Sequence, residues 1–178
     1  MTSAPKATLR RAPGWAAAPW YPSRVTPASA EKRAIAERFA ALLAERLGEQ
    51  LISVALYGSV ARGEARPESD IDLFVVANGL PRGRFQRQAV WEELDLALGE
   101  PGLSVVLHTP EEARVARPLY LDMTEDAVLL ADRGGFFGGV LDRLRARMRE
   151  LGSIRHRQGR FRYWELAPGH RPGEDIEL

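Results

Sequence analysis

The sequence has no cysteine among its 178 residues. This absence excludes disulfides, thiolate metal sites and a cysteine nucleophile, and nothing indicates an oxidising compartment. No apolar run approaches the roughly 20 residues that span a bilayer, and the first residues, MTSAPKATLRRAPGW, lack the continuous apolar stretch of a signal peptide. We therefore expect a soluble cytoplasmic protein without a membrane partner.

Neither basic nor acidic residues are in large excess. Lysine and arginine number 25 against 24 acidic residues, which gives a formal net charge of +1. Arginines cluster around 60–87 and 143–162, but the chain as a whole is not strongly basic, so composition does not predict nucleic-acid binding. A length of 178 residues with 45% hydrophobic content suits one domain with a substantial core.

The first 28 residues differ in composition from the rest of the chain. Residues 1–28 mix proline, alanine and arginine without a helical or strand period, so we predict an N-terminal arm. The arm carries Trp15, Trp20 and Tyr21, whose aromatic surface suits packing on the domain or on a second subunit. A mobile leader is the alternative, and the sequence leaves a homo-oligomer open.

Helical and strand-like patterns alternate after the arm. Ser29 is predicted to cap an amphipathic helix that Gly48 ends. Strands are predicted over LISVALY, DIDLFVVAN, LSVVLHT and AVLLAD, with an edge strand over RFRYWEL, and helices over 83–98, from Pro110, over PLYLDMTED and over GGFFGGVLDRLRARMREL. This order predicts an α/β (α+β) domain over 29–133, with a C-terminal helix and short extended tail, 134–178, packed on it.

Two aspartates stand one residue apart where a strand begins, in LYGSVARGEARPESDIDLFVV. In an extended strand Asp70 and Asp72 point to the same face. Two neighbouring carboxylates repel each other unless a cation lies between them, and Mg²⁺ with its preference for oxygen ligands suits that place. The alternative is a pair that only begins a strand in solvent or pairs with Arg62 or Arg66.

A Gly-Ser turn comes directly after the preceding strand. The sequence YGSVARG predicts a turn into a short helix, which presents backbone N–H groups, a hydroxyl and a positive dipole end to an anion. Gly58 lets the backbone approach a phosphate, and Ser59 can donate a hydrogen bond to it. A plain tight turn is the alternative. Together with the aspartates, the turn predicts a site for a metal-bound nucleoside triphosphate.

The stretch GSVARGEARPESDIDLFVV resembles the nucleotidyltransferase pattern of the DNA polymerase beta superfamily, in which hydrophobic-Gly-Ser precedes Asp-hydrophobic-Asp. It is most similar to the minimal nucleotidyltransferases, which resemble the catalytic domain of kanamycin nucleotidyltransferase. The close match covers 51–77, and the order of elements fits over about 29–132. The resemblance implies a polymerase beta-like fold with a mixed central sheet flanked by helices, and transfer of a nucleoside monophosphate, expected to be AMP from ATP, with Mg²⁺.

The resemblance also implies roles for individual residues. Gly58, Ser59 and Arg62 are expected to bind the nucleotide, and Asp70 and Asp72 to bind the metal as the catalytic carboxylates. One departure is Val60, where many relatives carry arginine.

The larger departure concerns a third carboxylate, which active relatives usually carry on the next core strand to help activate the acceptor hydroxyl. Here that strand reads LSVVLHT, and the equivalent position is Ser104, with Val106 and His108 following on the same face. Serine cannot serve as an anionic ligand. His108, with an ordinary pKa of about 6.5, is one substitute base. Acids that flank the strand are Glu100, Glu111 and Glu112.

Two functions follow as hypotheses. The first is a Mg²⁺-dependent nucleotidyltransferase whose acceptor hydroxyl belongs to a small molecule such as an aminoglycoside, to an RNA end, or to a partner protein. The resemblance favours the protein acceptor, because minimal nucleotidyltransferases are often antitoxins with a helical toxin partner. The second is a catalytically weak, nucleotide-binding antitoxin or interaction module that sequesters its partner. RNA binding by the arginine-rich segment 142–160 ranks below both, because regularly placed aromatic platforms are missing.

Overall fold

The computed structural model describes residues 25–81, 83, 86–87, 102–159, 161–170 and 176–178. The predicted helix over 83–98 lies almost entirely outside the described residues, as does the arm up to residue 24. Within the described residues, no helix combines the length and the apolar content that a membrane crossing requires.

Helices and strands alternate along the described chain, as the sequence predicts. Two short 3₁₀ turns, Gly48–Gln50 and Arg133–Gly135, connect some of them. The elements in chain order are α1 (Pro27–Leu47), β1 (Leu51–Tyr57), α2 (Gly58–Ala61), β2 (Ile71–Ala77), β3 (Leu103–His108), α3 (Pro110–Ala113), α4 (Pro118–Asp126), β4 (Val128–Asp132), α5 (Phe136–Glu150), β5 (Ile154–Gln158) and β6 (Phe161–Glu165).

The four central strands form one mixed sheet in the order β3-β2-β1-β4. Strand β1 pairs antiparallel with β2 and β4, whereas β2 and β3 run parallel. A parallel pair needs a crossover connection between its strands, and residues 78–102 supply it. The predicted fold class, a mixed central sheet with flanking helices, is confirmed.

Helices cover both faces of the sheet, which explains why its strands carry few charges. Alternation along β2 directs Leu73 and Val75 to one face, where they pack with Phe39 and Leu43 of α1. The same alternation directs Phe74 to the other face, which α4 and α5 cover. Phe74 stacks there on Phe137 at a ring distance of 4.6 Å. Asp72 belongs to this second face and lies at its end.

Helix α1 begins earlier than the sequence predicts. Its N-cap is Thr26, whose hydroxyl accepts from the amide of Ser29, and Pro27 occupies the first helical position. The prediction that Ser29 caps the helix is therefore wrong. Ser29 lies buried in the first turn, and its hydroxyl accepts from the amide of Ala65, while Thr26 donates to the carbonyl of the same residue. These bonds attach the start of α1 to the loop that follows α2.

The tail forms a two-stranded hairpin, β5 and β6, where the sequence predicted a single edge strand. The first strand, IRHRQ, has no apolar alternation that would indicate a strand. The hairpin is attached to α4 by side chains: Trp164 Nε1 donates to Asp122 at 3.0 Å, and Arg155 donates to Asp122 at 2.9 Å and also to Glu125. Strand β5 is therefore held by its pairing with β6 and by the contacts of Arg155 with α4.

Candidate active site

The two predicted aspartates lie at the edge where β2 begins. Asp72 pairs with Tyr57 of β1 on one side and with Ser104 of β3 on the other. Asp70 immediately precedes β2 and is exposed. The loop before it is fixed by the amide of Ile71, which donates to the carbonyl of Gly102 at 2.8 Å. The edge of the sheet therefore carries the Asp-Ile-Asp sequence with its first carboxylate in solvent and its second half-buried.

Electrostatics at Asp72 favour a nearby cation. Burial raises the pKa of the Asp72 carboxyl, and the negative charge of Asp70 raises it further, against a smaller lowering by Arg62. Burial, followed by the charge of Asp72, raises the pKa of Tyr57 to about 12. In the described part of the chain neither aspartate forms an ion pair, so the alternative of pairing with Arg62 or Arg66 is not what the structure contains. Two hard oxygen donors that repel each other fit Mg²⁺.

Gly58 lies directly against the carboxylate of Asp72. Its φ of +74° is in the left-handed region that favours glycine, and a Cβ added there would lie 2.3 Å from Asp72 Oδ2. Any side chain at this position would displace the carboxylate. The structure thus brings the glycine of the Gly-Ser turn and the second aspartate into contact.

Ser59 follows on α2, a helix of only four residues. The carbonyl of Ser59 accepts from the amide of Glu64 at 2.9 Å, which closes the turn. Val60 and Ala61 are 2% and 3% exposed and pack in the core beneath α1. Val60, at the position where many relatives carry arginine, therefore anchors the turn. The N-cap residue, Tyr57, forms no side-chain hydrogen bond with the first amides of this helix.

Arg62 is held by two carboxylates that the sequence analysis did not single out. Its Nη1 donates to Asp126 Oδ2 at 3.0 Å, and its Nε donates to Glu64 Oε2 at 3.0 Å. Burial acts to lower the pKa of Arg62, but the hydrogen bonds to these carboxylates outweigh it and the pKa is raised. Its Nη2 has no hydrogen-bond partner among the described residues. Only a charge cluster around 60–66 and 122–126 in the sequence hints at this arrangement.

Ser104 occupies the place where a third carboxylate is expected. It is exposed and lies beside Asp72 in the parallel register of β2 and β3. Within the described ranges no group of three histidine, cysteine, aspartate or glutamate side chains is arranged to hold a metal. The described carboxylates at this edge are those of the two aspartates.

Among the described residues, the substitutes that the sequence offered lie at the other end of β3 or on the helix after it. His108 lies four residues beyond Ser104 on β3, about 13 Å away at the rise of a strand, and its Nδ1 is 3.3 Å from the Tyr120 hydroxyl. Burial, assisted by Arg117, lowers the pKa of His108. Glu112 forms an ion pair with Arg87 at 2.7 Å. Glu111 is exposed and lies 3.8 Å from Arg114, and Glu100 is outside the described residues.

A cavity adjoins Arg62 on the side of the β5–β6 hairpin. It has a volume of about 260 Å³. Charged side chains from α4, the loop after α2 and the hairpin line it: Arg62, Glu64, Glu125, Asp126, Arg155, His156, Arg157 and Arg162. Sequence reasoning missed this cavity, because its walls come from three segments far apart in the chain.

Known proteins resemble this chain in sequence and in fold. A Methanocaldococcus jannaschii protein that carries the provisional name of a protein adenylyltransferase is 29% identical over 125 residues, which are 67% of this chain and 85% of that protein. A crystal structure of a toxin-antitoxin with AMP-PNP is 20% identical with a TM-score of 0.46, over 65% of this chain and 92% of that chain. A tri-AMPylated Shewanella oneidensis HEPN toxin in complex with its MNT antitoxin provides a chain 17% identical with a TM-score of 0.43, over 68% and 92%.

The family assignment comes from the sequence model of the nucleotidyltransferase domain, which matches residues 36–128. The matched segment runs from α1 to the start of β4 and is more than half of the chain. It contains the Gly-Ser turn, both aspartates and Ser104. The chain belongs to the nucleotidyltransferase domain family.

Proposed function

We propose that this chain transfers AMP from ATP to a hydroxyl group of a partner protein, with Mg²⁺ held by Asp70 and Asp72. The observation that carries the proposal is the contact of the Gly-Ser turn with a half-buried aspartate whose pKa is raised by burial and by Asp70. Family membership supports the reaction class. The name of the Methanocaldococcus relative supports a protein acceptor and an adenylyl group.

Each residue has a role that its environment supports. The Ser59 hydroxyl and the amides of the turn hold the triphosphate, and Gly58 leaves room for the Asp72 carboxylate and for a phosphate oxygen. Arg62 donates to the nucleotide through the Nη2 that has no partner among the described residues. Bound Mg²⁺ would neutralise phosphate charge and favour deprotonation of the acceptor hydroxyl.

The reaction is a substitution at the α-phosphorus. The acceptor oxygen forms a bond to this phosphorus, the bond to the bridging oxygen breaks, and pyrophosphate leaves. The hydroxyl proton passes to solvent, because Ser104 offers no base beside Asp72. Positioning of the phosphates and neutralisation of their charge supply most of the rate enhancement in transfers of this kind.

We also propose a domain organisation for the chain. We assign the nucleotidyltransferase domain to 29–133, and the helix and tail over 134–178 to the same folded unit. The contacts of Arg155 and Trp164 with α4 support that assignment. The acceptor is a helical toxin partner, in line with the resemblance to minimal nucleotidyltransferases, and the pair acts in the cytoplasm.

A second function is a partner-sequestering module that binds the nucleotide and transfers it slowly or not at all. The observation in its favour is Ser104, which stands exposed beside Asp72 where active relatives usually carry an acid. The two functions differ in whether pyrophosphate is released.

The experiment incubates the purified protein with each α-labelled nucleoside triphosphate and Mg²⁺, alone and with the product of the neighbouring gene. Transfer of label with pyrophosphate release, lost in Asp70→Asn and Asp72→Asn, supports the enzyme. The matched control is Asp142→Asn, an exposed aspartate on α5 that pairs with Arg145. Nucleotide binding without pyrophosphate release supports the sequestering module, and absence of binding contradicts both.

A further inference from the structure

Five charged side chains of alternating sign form a chain of ion pairs beside the candidate active site. Arg155 Nη2 lies 3.5 Å from Asp126 Oδ2, and Asp126 accepts from Arg62 at 3.0 Å. Arg62 donates to Glu64 at 3.0 Å, and Glu64 accepts from Arg162 at 2.7 Å. We call these five residues the arginine circuit. Its two ends belong to the β5–β6 hairpin, and its centre is Arg62.

The arginine circuit joins a segment inside the matched domain to a hairpin outside it. Arg62 lies three residues after Ser59, within the segment that matches the family model, whereas Arg155 and Arg162 lie beyond residue 128, where that match ends. The hairpin is thus an element outside the matched domain whose arginines contact the two carboxylates that hold Arg62.

Asp126 is the member of the circuit with the least contact with water. It is 3% exposed, and its Oδ1 has no hydrogen-bond partner among the described residues. A buried ion pair often contributes less to folding stability than apolar side chains of the same size would, because both charges lose their hydration. We therefore assign the Arg62–Asp126 ion pair a role in conformational specificity, because it fixes the guanidinium of Arg62 in one orientation.

The orientation of Arg62 leaves part of its donor capacity unused. A guanidinium has five N–H donors, and Arg62 uses its Nε for Glu64 and its Nη1 for Asp126. Arg62 also lines the cavity of about 260 Å³, together with Arg155 and Arg162. The carboxylates that line this cavity, Glu64, Glu125 and Asp126, are already paired with arginines, so the donors that remain suit anionic oxygens such as those of a phosphate.

We infer that Asp126 and the hairpin residue Arg155 are positioning residues for the nucleotide, and that they act through Arg62 by holding its guanidinium toward the triphosphate. This inference rests on the proposed function, because it takes ATP as the ligand. It adds that the β5–β6 hairpin is part of the nucleotide site although it lies outside the matched domain.

The test is a double-mutant cycle read as ligand affinity. Calorimetry measures the Kd of Mg²⁺-ATP and of adenosine for the wild type, Asp126→Asn, Arg62→Met and the double variant. Asp126→Asn is expected to weaken Mg²⁺-ATP binding about tenfold, the loss of one charge-assisted contact, and to leave adenosine affinity unchanged. In the Arg62→Met background the same change is expected to have no further effect, because the residue through which Asp126 acts is gone.

Arg155→Met is the second variant, for the case in which Asp126→Asn does not fold. It leaves the Arg62–Asp126 bond in place and removes the contacts of Arg155 with α4, and it is expected to weaken Mg²⁺-ATP binding severalfold. The matched control is Arg147→Met on α5, which removes a pair with Glu150 at 3.3 Å on the exposed surface. Circular dichroism and the melting temperature confirm folding of each variant.

Several outcomes would overturn the inference. Equal losses for adenosine and Mg²⁺-ATP, or losses that add in the double variant, indicate a merely structural ion pair. Unchanged affinity in folded Asp126→Asn and Arg155→Met overturns the inference and leaves the proposed function intact. A wild type that does not bind Mg²⁺-ATP overturns the proposed function, and the inference with it.

Discussion

Gly58 and Asp72 are in such close contact that a Cβ on the first would lie 2.3 Å from a carboxylate oxygen of the second. The contact arises because β1 and β2 are antiparallel, so that Tyr57 at the end of β1 pairs with Asp72 near the start of β2. The Gly-Ser turn follows Tyr57 directly. The glycine is therefore required by the carboxylate, and the proposed approach of a phosphate would require it as well.

Gly58→Ala is expected to destabilise the protein by about 2–4 kcal/mol, since it combines a left-handed backbone with a steric clash. It should also abolish Mg²⁺-dependent nucleotide binding, because Asp72 is displaced. Chemical unfolding and calorimetry measure the two effects. The matched control is Gly152→Ala, where φ is +68° and nothing lies within 4 Å of the added Cβ. Equal stability losses in the two variants would contradict a clash with Asp72.

Asp72→Asn is expected to remove Mg²⁺-dependent nucleotide binding and to raise the melting temperature in the absence of metal. The pKa of Asp72 is raised in the folded state, first by burial and then by Asp70, so at neutral pH the charged carboxylate opposes folding. The amide removes that charge. Thermal unfolding with and without Mg²⁺ measures the effect. A lower melting temperature without metal would show that Asp72 stabilises the fold instead.

Ser104→Asp is expected to increase the rate of AMP transfer at least about tenfold, which is less than the roughly 100-fold or more that a fully positioned acid or base contributes. Ser104 is exposed beside Asp72, so a carboxylate there joins the pair without entering the core. Initial rates of pyrophosphate release measure the gain, and Ser104→Asn controls for size. A decrease in rate would mean that another acid already fills the role.

Glu112→Gln is expected to lower stability at neutral pH and to leave AMP transfer unchanged. Hydrogen bonds from Arg87 lower the pKa of Glu112 to about 2 from an ordinary 4.5. A lowered pKa means that the contribution to stability is present above pH 4.5 and is lost as the pH falls towards 2. Urea unfolding of wild type and variant across that range should therefore converge at the acid end. The control is Glu111→Gln. A loss of AMP transfer in Glu112→Gln would indicate that Glu112 takes part in the candidate active site.

The alternation of helices and strands and the motif could be predicted because both are local properties of the sequence. Charge-free runs such as LISVALY mark strands that are covered on both faces. The separation of the Gly-Ser turn from the aspartates allows them to meet once β1 and β2 pair. The parallel register also places Ser104 beside Asp72, as the sequence analysis expected. The prediction of Ser29 as the cap of α1 was wrong because Thr26 and Ser29 are both good caps, and Pro27 favours the earlier start.

The sequence by itself thus determined the alternating strands and helices, the pair of aspartates and the Gly-Ser turn. Only the tertiary structure decided which charges meet. It pairs Arg62 with Asp126, separated by 64 positions, and folds IRHRQ into a hairpin whose Arg155 reaches α4. It also directs His108 to Tyr120 and away from the aspartates. Apolar periodicity is read from neighbouring residues, whereas ion pairs across the chain depend on the packing that brings their elements together.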